Sequence, residues 1–155
     1  MSGNNPNEFP PEVLEAFAQH HKQYHEDPDA AHMWDPIVIG VPGGAVPCLL
    51  LFHRGRKSGR ALESVLQYYK RGEEIAIVAS KGGMPNHPVW YLNLEAAPDC
   101  EMQIASERRR VRARTVSGVE RAAWWQLITA EQPQQLEYEQ RTSREIPVVV
   151  LDPLN

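Results

Sequence analysis

From Ile37 onward the sequence is a series of short apolar runs broken by glycine and proline. Even the longest, VPCLLLF at Val46–Phe52 and IPVVVL at Ile146–Leu151, have the length of a strand. None approaches the roughly 18 apolar residues that a membrane-spanning helix needs, and the pattern favours a β-rich core over a helix bundle. It predicts strands at Ile37–Val41, Val46–His53, Leu62–Lys70, Glu74–Ser80, Cys100–Ala105, Arg109–Thr115 and Ile146–Leu151. Gly55, Gly59 and Gly72 fall between consecutive runs as hairpin turns, and Ala105 and Ser106 with Glu107 make another. A chain of 155 residues is the size of one domain, so these strands share one core.

Helices interrupt the pattern. Glu12–Tyr24 carries Val13, Leu14, Phe17 and Ala18 at helical spacing behind Pro10 and Pro11. Pro88–Ala96 starts with one proline and stops before another, Pro98. A longer helix begins at Ser117, where Ser117 and Glu120 have the spacing of a capping box, and Pro133 ends it. Gln134–Arg144 is a short polar segment with Leu136 and Tyr138 as its apolar residues. Antiparallel strands with late helices make the fold class α+β, compatible with a small barrel. Residues 1–35 read as an acidic N-terminal arm with one helix, and 36–155 as the barrel domain. The start, MSGNNPNEFPPE, has no basic segment followed by an apolar core and is not read as a signal peptide. A cytoplasmic location is expected, with peripheral membrane association left open. Cys48 and Cys100 are far apart in apolar contexts and read as buried thiols.

The net charge of −4 hides an uneven distribution. Residues 1–35 hold seven acids and one lysine, whereas 53–114 hold twelve bases and seven acids. A weakly acidic whole argues against nonspecific nucleic-acid binding, but a basic middle suits a small anion. Two turns concentrate the charge. HRGRKSGR at His53–Arg60 sets four bases around two glycines, a combination that can cradle an anion with backbone N–H groups and cationic side chains. In VASKGGMPNHPVWYLNL a strand ends at Ser80, and Lys81, Gly82 and Gly83 form a cationic flexible turn ahead of a helix N-terminus. Ser80 and Lys81 can hold a phosphate or a polar ring edge there. The alternative for each turn is a solvated hairpin tip or a capped helix with Trp90, Tyr91 and Leu94 as core packing.

A third basic run, RRRVRAR at Arg108–Arg114, reads as a solvated strand face paired with neighbouring acids, with Arg108, Arg110, Arg112 and Arg114 on one side. It contains no aromatic residue for stacking nucleobases. Histidines 20, 21, 25 and 32 invite a metal reading, but the nearby carboxylates belong to the acidic arm, so no metal is expected. No G-x-S-x-G, C-x-x-C or HExxH motif occurs, and no covalent nucleophile is apparent.

Four ordered motifs, GRKSG at 55–59, ASKGG at 79–83, HPVWYLNL at 87–94 and TSREIPVVVLDP at 142–153, resemble the deazaflavin-dependent nitroreductase family. These are oxidoreductases of actinobacteria with a split β-barrel fold that use coenzyme F-420, and the resemblance runs from about Pro47 to Pro153. It implies a reduced deazaflavin that delivers a hydride to a small electron-poor acceptor such as a quinone, enone or nitroaromatic. By resemblance Arg56, Lys57, Ser58 and Gly59 would hold the cofactor's phosphate and oligoglutamate tail. Val78, Ala79, Ser80, Lys81 and Gly82 would line the ring, and Trp90, Tyr91 and Asn93 would close the pocket. Ser80 and Tyr138 are the residues the resemblance sets at the reacting centre. Hydride transfer is the cofactor's chemistry, so a missing catalytic triad is consistent with it.

The chain departs from the family pattern at Ala61 and Leu62, where a Pro-Arg pair is common, and at Gln132 and Gln135, where aromatic residues are expected. His53 and Arg54 replace smaller polar residues. Two alternatives remain at this point: an oxidoreductase using FMN on the same barrel, and a nonenzymatic F-420-binding carrier. A monomer or a homodimer fits either reading.

Overall fold

The structure is a computed structural model that describes residues 8–155; the first seven residues of the start sequence lie outside it. Along the chain come α1 (Pro11–Glu26), α2 (Pro28–Ala31), β1 (Met33–Trp34), a 3-10 turn (Pro36–Ile39), β2 (Val46–Arg54), β3 (Ala61–Arg71) and β4 (Glu74–Val78). A second 3-10 turn (Lys81–Gly83), α3 (Val89–Ala96), β5 (Asp99–Ile104), β6 (Glu107–Thr115), α4 (Gly118–Glu131), α5 (Gln134–Gln140) and β7 (Val148–Pro153) follow. The six longer strands run antiparallel in the order β2-β3-β4-β7-β6-β5, and β5 returns to β2 in the register Leu49↔Ile104 through Phe52↔Glu101. Closure removes the exposed edges that an open sheet would present.

The two longest apolar runs do not alternate with polar residues because both of their faces are covered. Leu49 and Leu51 point into the barrel with Ile77, Met102, Val111 and Leu151, and Trp90, Tyr91 and Leu94 of α3 complete that core. Leu50, between them on β2, packs outward against Tyr24 of α1 and Ala31 of α2. On the opposite side Ala76, Val148 and Val150 pack outward against Trp124 and Ile128 of α4. Helices therefore sandwich the barrel wall at β2 and again at β4 and β7. Tyr24 is fully buried, and its hydroxyl donates to Cys48 O at 2.9 Å and accepts from the Ala105 N–H at 2.9 Å.

Two local expectations are corrected. Residues 37–41 are not a strand: Pro36 starts a 3-10 turn, Asp35 accepts from the Ile37 N–H at 3.0 Å, and Gly40 ends it at φ 85°. Ile37 and Val38 are left 57% and 62% exposed, so their apolar character had no core to report. The Ser117–Glu120 capping box does not form; Ser117 makes no side-chain cap bond, and Glu120 accepts two bonds from Arg114 at 2.9 and 3.0 Å instead. The last polar segment is helical only to Gln140.

The arginine run behaves as a solvated strand face. Arg108 pairs with Glu101, Arg112 holds both oxygens of Asp99 at 2.6 and 3.1 Å, and Arg114 bonds Asp152, Glu120 and Glu74. Cys48 and Cys100 are free thiols, and burial pushes each up to about 12.

Candidate functional site

A cavity of about 480 Å³ opens between α1, the barrel wall, the Lys81–Gly83 turn and α5. Six of the residues expected at the cofactor site and reacting centre line it: Val78, Ser80, Lys81, Gly82, Trp90 and Tyr138. Ala79 lies behind the wall, fully buried, and Tyr91 turns away to bond Thr115 Oγ1 at 2.9 Å beside a smaller cavity of about 210 Å³. Arg56, Lys57, Ser58 and Gly59 sit outside the large cavity on the exposed β2–β3 turn. The N-terminal arm supplies a wall that the motifs did not reveal, through Phe9, Phe17, His20, His21 and Trp34.

The turn that follows β4 is built for an unusual backbone. Ser80 is right-handed (φ −76°, ψ −36°), and Lys81, Gly82 and Gly83 follow at φ 45°, 64° and 77°. A right-handed residue followed by left-handed ones can turn successive backbone N–H groups toward one side; here the Gly83 and Met84 N–H groups close the turn on Ser80 O and Lys81 O at 2.9 and 3.1 Å. A lysine at positive φ costs roughly 1–2 kcal/mol, so the surroundings must hold it. Arg144 does so. Its guanidinium donates to Met84 O at 2.9 Å, Ala79 O at 3.1 Å and Ser80 O at 2.8 Å, and its Nη1 also reaches His87 Nδ1 at 3.1 Å. These partners are neutral, so none of these bonds offsets the guanidinium charge; burial lowers its pKa. Burial, then the charge of Arg144, also lowers the pKa of Lys81, whose Nζ donates to Asn86 Oδ1 at 3.1 Å. Arg144 lies inside the TSREIP motif beside Glu145, and nothing local points to its bracing role, because its partners are 57 to 65 residues away.

Gly83 lets α5 approach this turn. A Cβ there would stand 2.5 Å from Tyr138 O and 3.0 Å from Tyr138 Cα. That approach brings Tyr138, Gln132 and Gln135 to the cavity. Gln135 is 7% exposed; its Nε2 reaches the Tyr69 hydroxyl at 3.4 Å, while its Oε1 is buried without a donor. Burial raises the pKa of Tyr138 and keeps its hydroxyl protonated.

Asn93 does not touch the cavity. It is 1% exposed, accepts from the Arg56 N–H at 3.0 Å and bonds His53 Nδ1 at 3.0 Å, and His53 Nε2 reaches Ser64 Oγ at 3.0 Å on the cavity wall. One side chain of α3 thus fixes the basic turn relative to the cavity. Burial lowers the pKa of His53, which keeps the imidazole neutral in this chain of bonds. Within the turn Gly55 N–H donates to Arg60 O at 2.9 Å and Gly59 N–H to Gly55 O at 2.8 Å, leaving the Arg56 and Lys57 side chains in solvent.

A family model described as F420H(2)-dependent quinone reductase matches residues 32–153. The chain belongs to the F420H(2)-dependent quinone reductase family. It is 41% identical over 111 residues to the F420H(2)-dependent quinone reductase of Mycobacterium tuberculosis H37Rv, covering 70% of this chain and 74% of that protein. A solved F420-H2 dependent reductase matches with a TM-score of 0.63 at 36% identity, covering 71% of this chain and all of the other. Another solved chain, described as a domain-swapped dimer, matches at 0.66 and 30% identity over 90% of this chain and 98% of its own. The fold is accordingly an α+β split barrel, and this member of the quinone reductase family is an oxidoreductase with reduced coenzyme F420 as its cofactor. The F420 reading therefore prevails over the FMN and carrier alternatives. The match begins at His32, so α1 and its contribution to the cavity fall outside the matched region.

Proposed function

We propose that the cavity holds the deazaflavin ring of F420 with a quinone beside it, and that the Arg56–Gly59 turn holds the cofactor's anionic tail. The observation that carries this reading is the cavity wall itself. A left-handed turn that carries Lys81 lines the same cavity as Gln135, whose Oε1 is buried without a donor, and Arg144 braces that turn from behind. A deazaflavin fits this set: its pyrimidine edge offers an N–H to an orphaned acceptor and carbonyl oxygens to N–H groups and cations. The volume is that of a small-molecule site, and Phe9, Phe17 and Trp34 of the N-terminal arm add an apolar wall to it.

When bound, the reduced cofactor supplies the hydride. The protein orients and insulates. Val78, Gly82 and Trp90 provide the flat apolar wall for a ring, and Ser80 and Lys81 meet its polar edge. The Tyr138 hydroxyl, held protonated by burial, offers an O–H to the acceptor oxygen that gains negative charge. Asn93 acts from behind by fixing the turn that carries Arg56 and Lys57.

Fluorescence titration with reduced F420 followed by steady-state turnover of a quinone tests this reading. Saturable binding at micromolar levels is expected. Lys57→Ala should weaken it by about 1.5–3 kcal/mol, the range for hydrogen bonds to charged groups. Tyr138→Phe should lower kcat while leaving cofactor affinity near the parent value. Absence of saturable binding rejects the proposal.

A further inference from the structure

His21 and His25 are one helical turn apart on α1, and both present Nε2 to the same carboxylate oxygen, Glu63 Oε1 of β3, at 2.7 and 2.5 Å. An ion pair with a carboxylate needs one imidazole, and two imidazoles would ordinarily divide its two oxygens between them. Here three lone-pair atoms converge on one point, all within 4.8 Å of one another. The i, i+4 spacing of two histidines on a helix is a recurrent metal-ligand arrangement, completed by a carboxylate from another element. We infer that His21, His25 and Glu63 form a binding site for a divalent transition ion of the zinc class, which ties α1 to the barrel at the rim of the large cavity.

The ligand set suits that ion. Neutral imidazole nitrogens with one carboxylate are borderline ligands that favour zinc, cobalt, nickel or copper over magnesium or calcium. Ligand bonds of about 2.0–2.2 Å around a tetrahedral centre set ligand atoms about 3.4 Å apart; the two nitrogens would move out from Glu63 Oε1 by under about 1 Å and, lying within 4.8 Å of each other, would settle at that same separation. The side chains of His21, His25 and Glu63 are 41%, 53% and 30% exposed, so an ion can enter from solvent. Three protein ligands leave a fourth position open for water or a small ligand, and His21 and Glu63 also line the cavity. Because Glu63 lies 38 residues from His25, the ion would cross-link the N-terminal helix to the barrel and hold that wall of the cavity in place.

Tag-free full-length protein, stripped with chelator and titrated with zinc by calorimetry and with cobalt(II) by absorption, tests the site. One equivalent of each ion is expected to bind at micromolar or lower concentration, with zinc raising the melting temperature. Cobalt should give visible bands of a four- or five-coordinate centre without a thiolate charge-transfer band. His25→Ala and Glu63→Gln change exposed groups and should each weaken binding at least tenfold while keeping the parent far-ultraviolet circular dichroism. Failure to bind, a thiolate band, or parent affinity in either variant overturns the proposal. Cofactor affinity enters none of these readouts, so the outcome stands apart from the assignment of the cavity.

Discussion

Asn93 is the residue through which α3 reaches the basic turn, and both halves of its amide are engaged inside a buried shell. Asn93→Ala strands the Arg56 N–H and His53 Nδ1, so a loss of about 1–3 kcal/mol is expected in chemical denaturation, together with weaker F420 binding. His87 illustrates a titration at the same scale. Burial and then the charge of Arg144 hold its pKa below the ordinary 6.5, so the unfolded chain takes up this proton first as pH falls. Its contribution to stability is intact above pH 6.5 and is lost as pH drops through the lower folded value. The melting temperature is expected to fall more steeply between pH 6.5 and 5 in the parent than in His87→Gln, and equal slopes would remove His87 from the account. Neither role was legible in the sequence: Asn93 read as a pocket-closing residue, and its partners lie 37 and 40 residues away.

Among the elements, the turn after β4 was the most legible and α5 the least. Two adjacent glycines and a lysine after an apolar strand announce a cationic turn; the structure adds that it is left-handed, with φ of 45–77° over Lys81–Gly83. Nothing local told which element would press against it. Gly83→Ala tests the packing: its Cβ meets the backbone of Tyr138 and must move α5, a cost of about 1–3 kcal/mol for overpacking. Since Tyr138 and Gln135 ride on that helix, quinone turnover should fall more than stability alone explains, measured at a temperature where the variant is fully folded. The capping box fails for a related reason. Arg114 holds Glu120 alongside Asp152 and Glu74, and a cluster with three carboxylates outcompetes a single backbone N–H.

In the whole molecule the N-terminal arm is part of the cavity wall and of the barrel's outer packing, which its acidic composition gave no reason to expect. Tyr24 joins α1 to β2 and to the β5–β6 turn through one hydroxyl. Tyr24→Phe leaves the Ala105 N–H and Cys48 O without that partner; a loss of about 1–3 kcal/mol in denaturant and faster amide exchange along α1 are expected.

The sequence alone determined six long strands along the chain, the glycine-containing turns, the basic middle of the chain and, through the resemblance of four motifs, the split barrel and its cofactor class. The strands, turns and charge distribution depend on neighbours within a few residues, where backbone sterics and apolar runs act directly, whereas the barrel type and cofactor class rest on the resemblance. Tertiary structure decided which faces of those strands are covered, that Asn93 and Arg144 brace the turns around the cavity from behind, that Gln135 at the cavity keeps a buried oxygen without a donor, and that Glu63 meets two histidines of α1. Each of these rests on groups brought together across dozens of residues by closure of the barrel, and no local pattern encodes such a meeting.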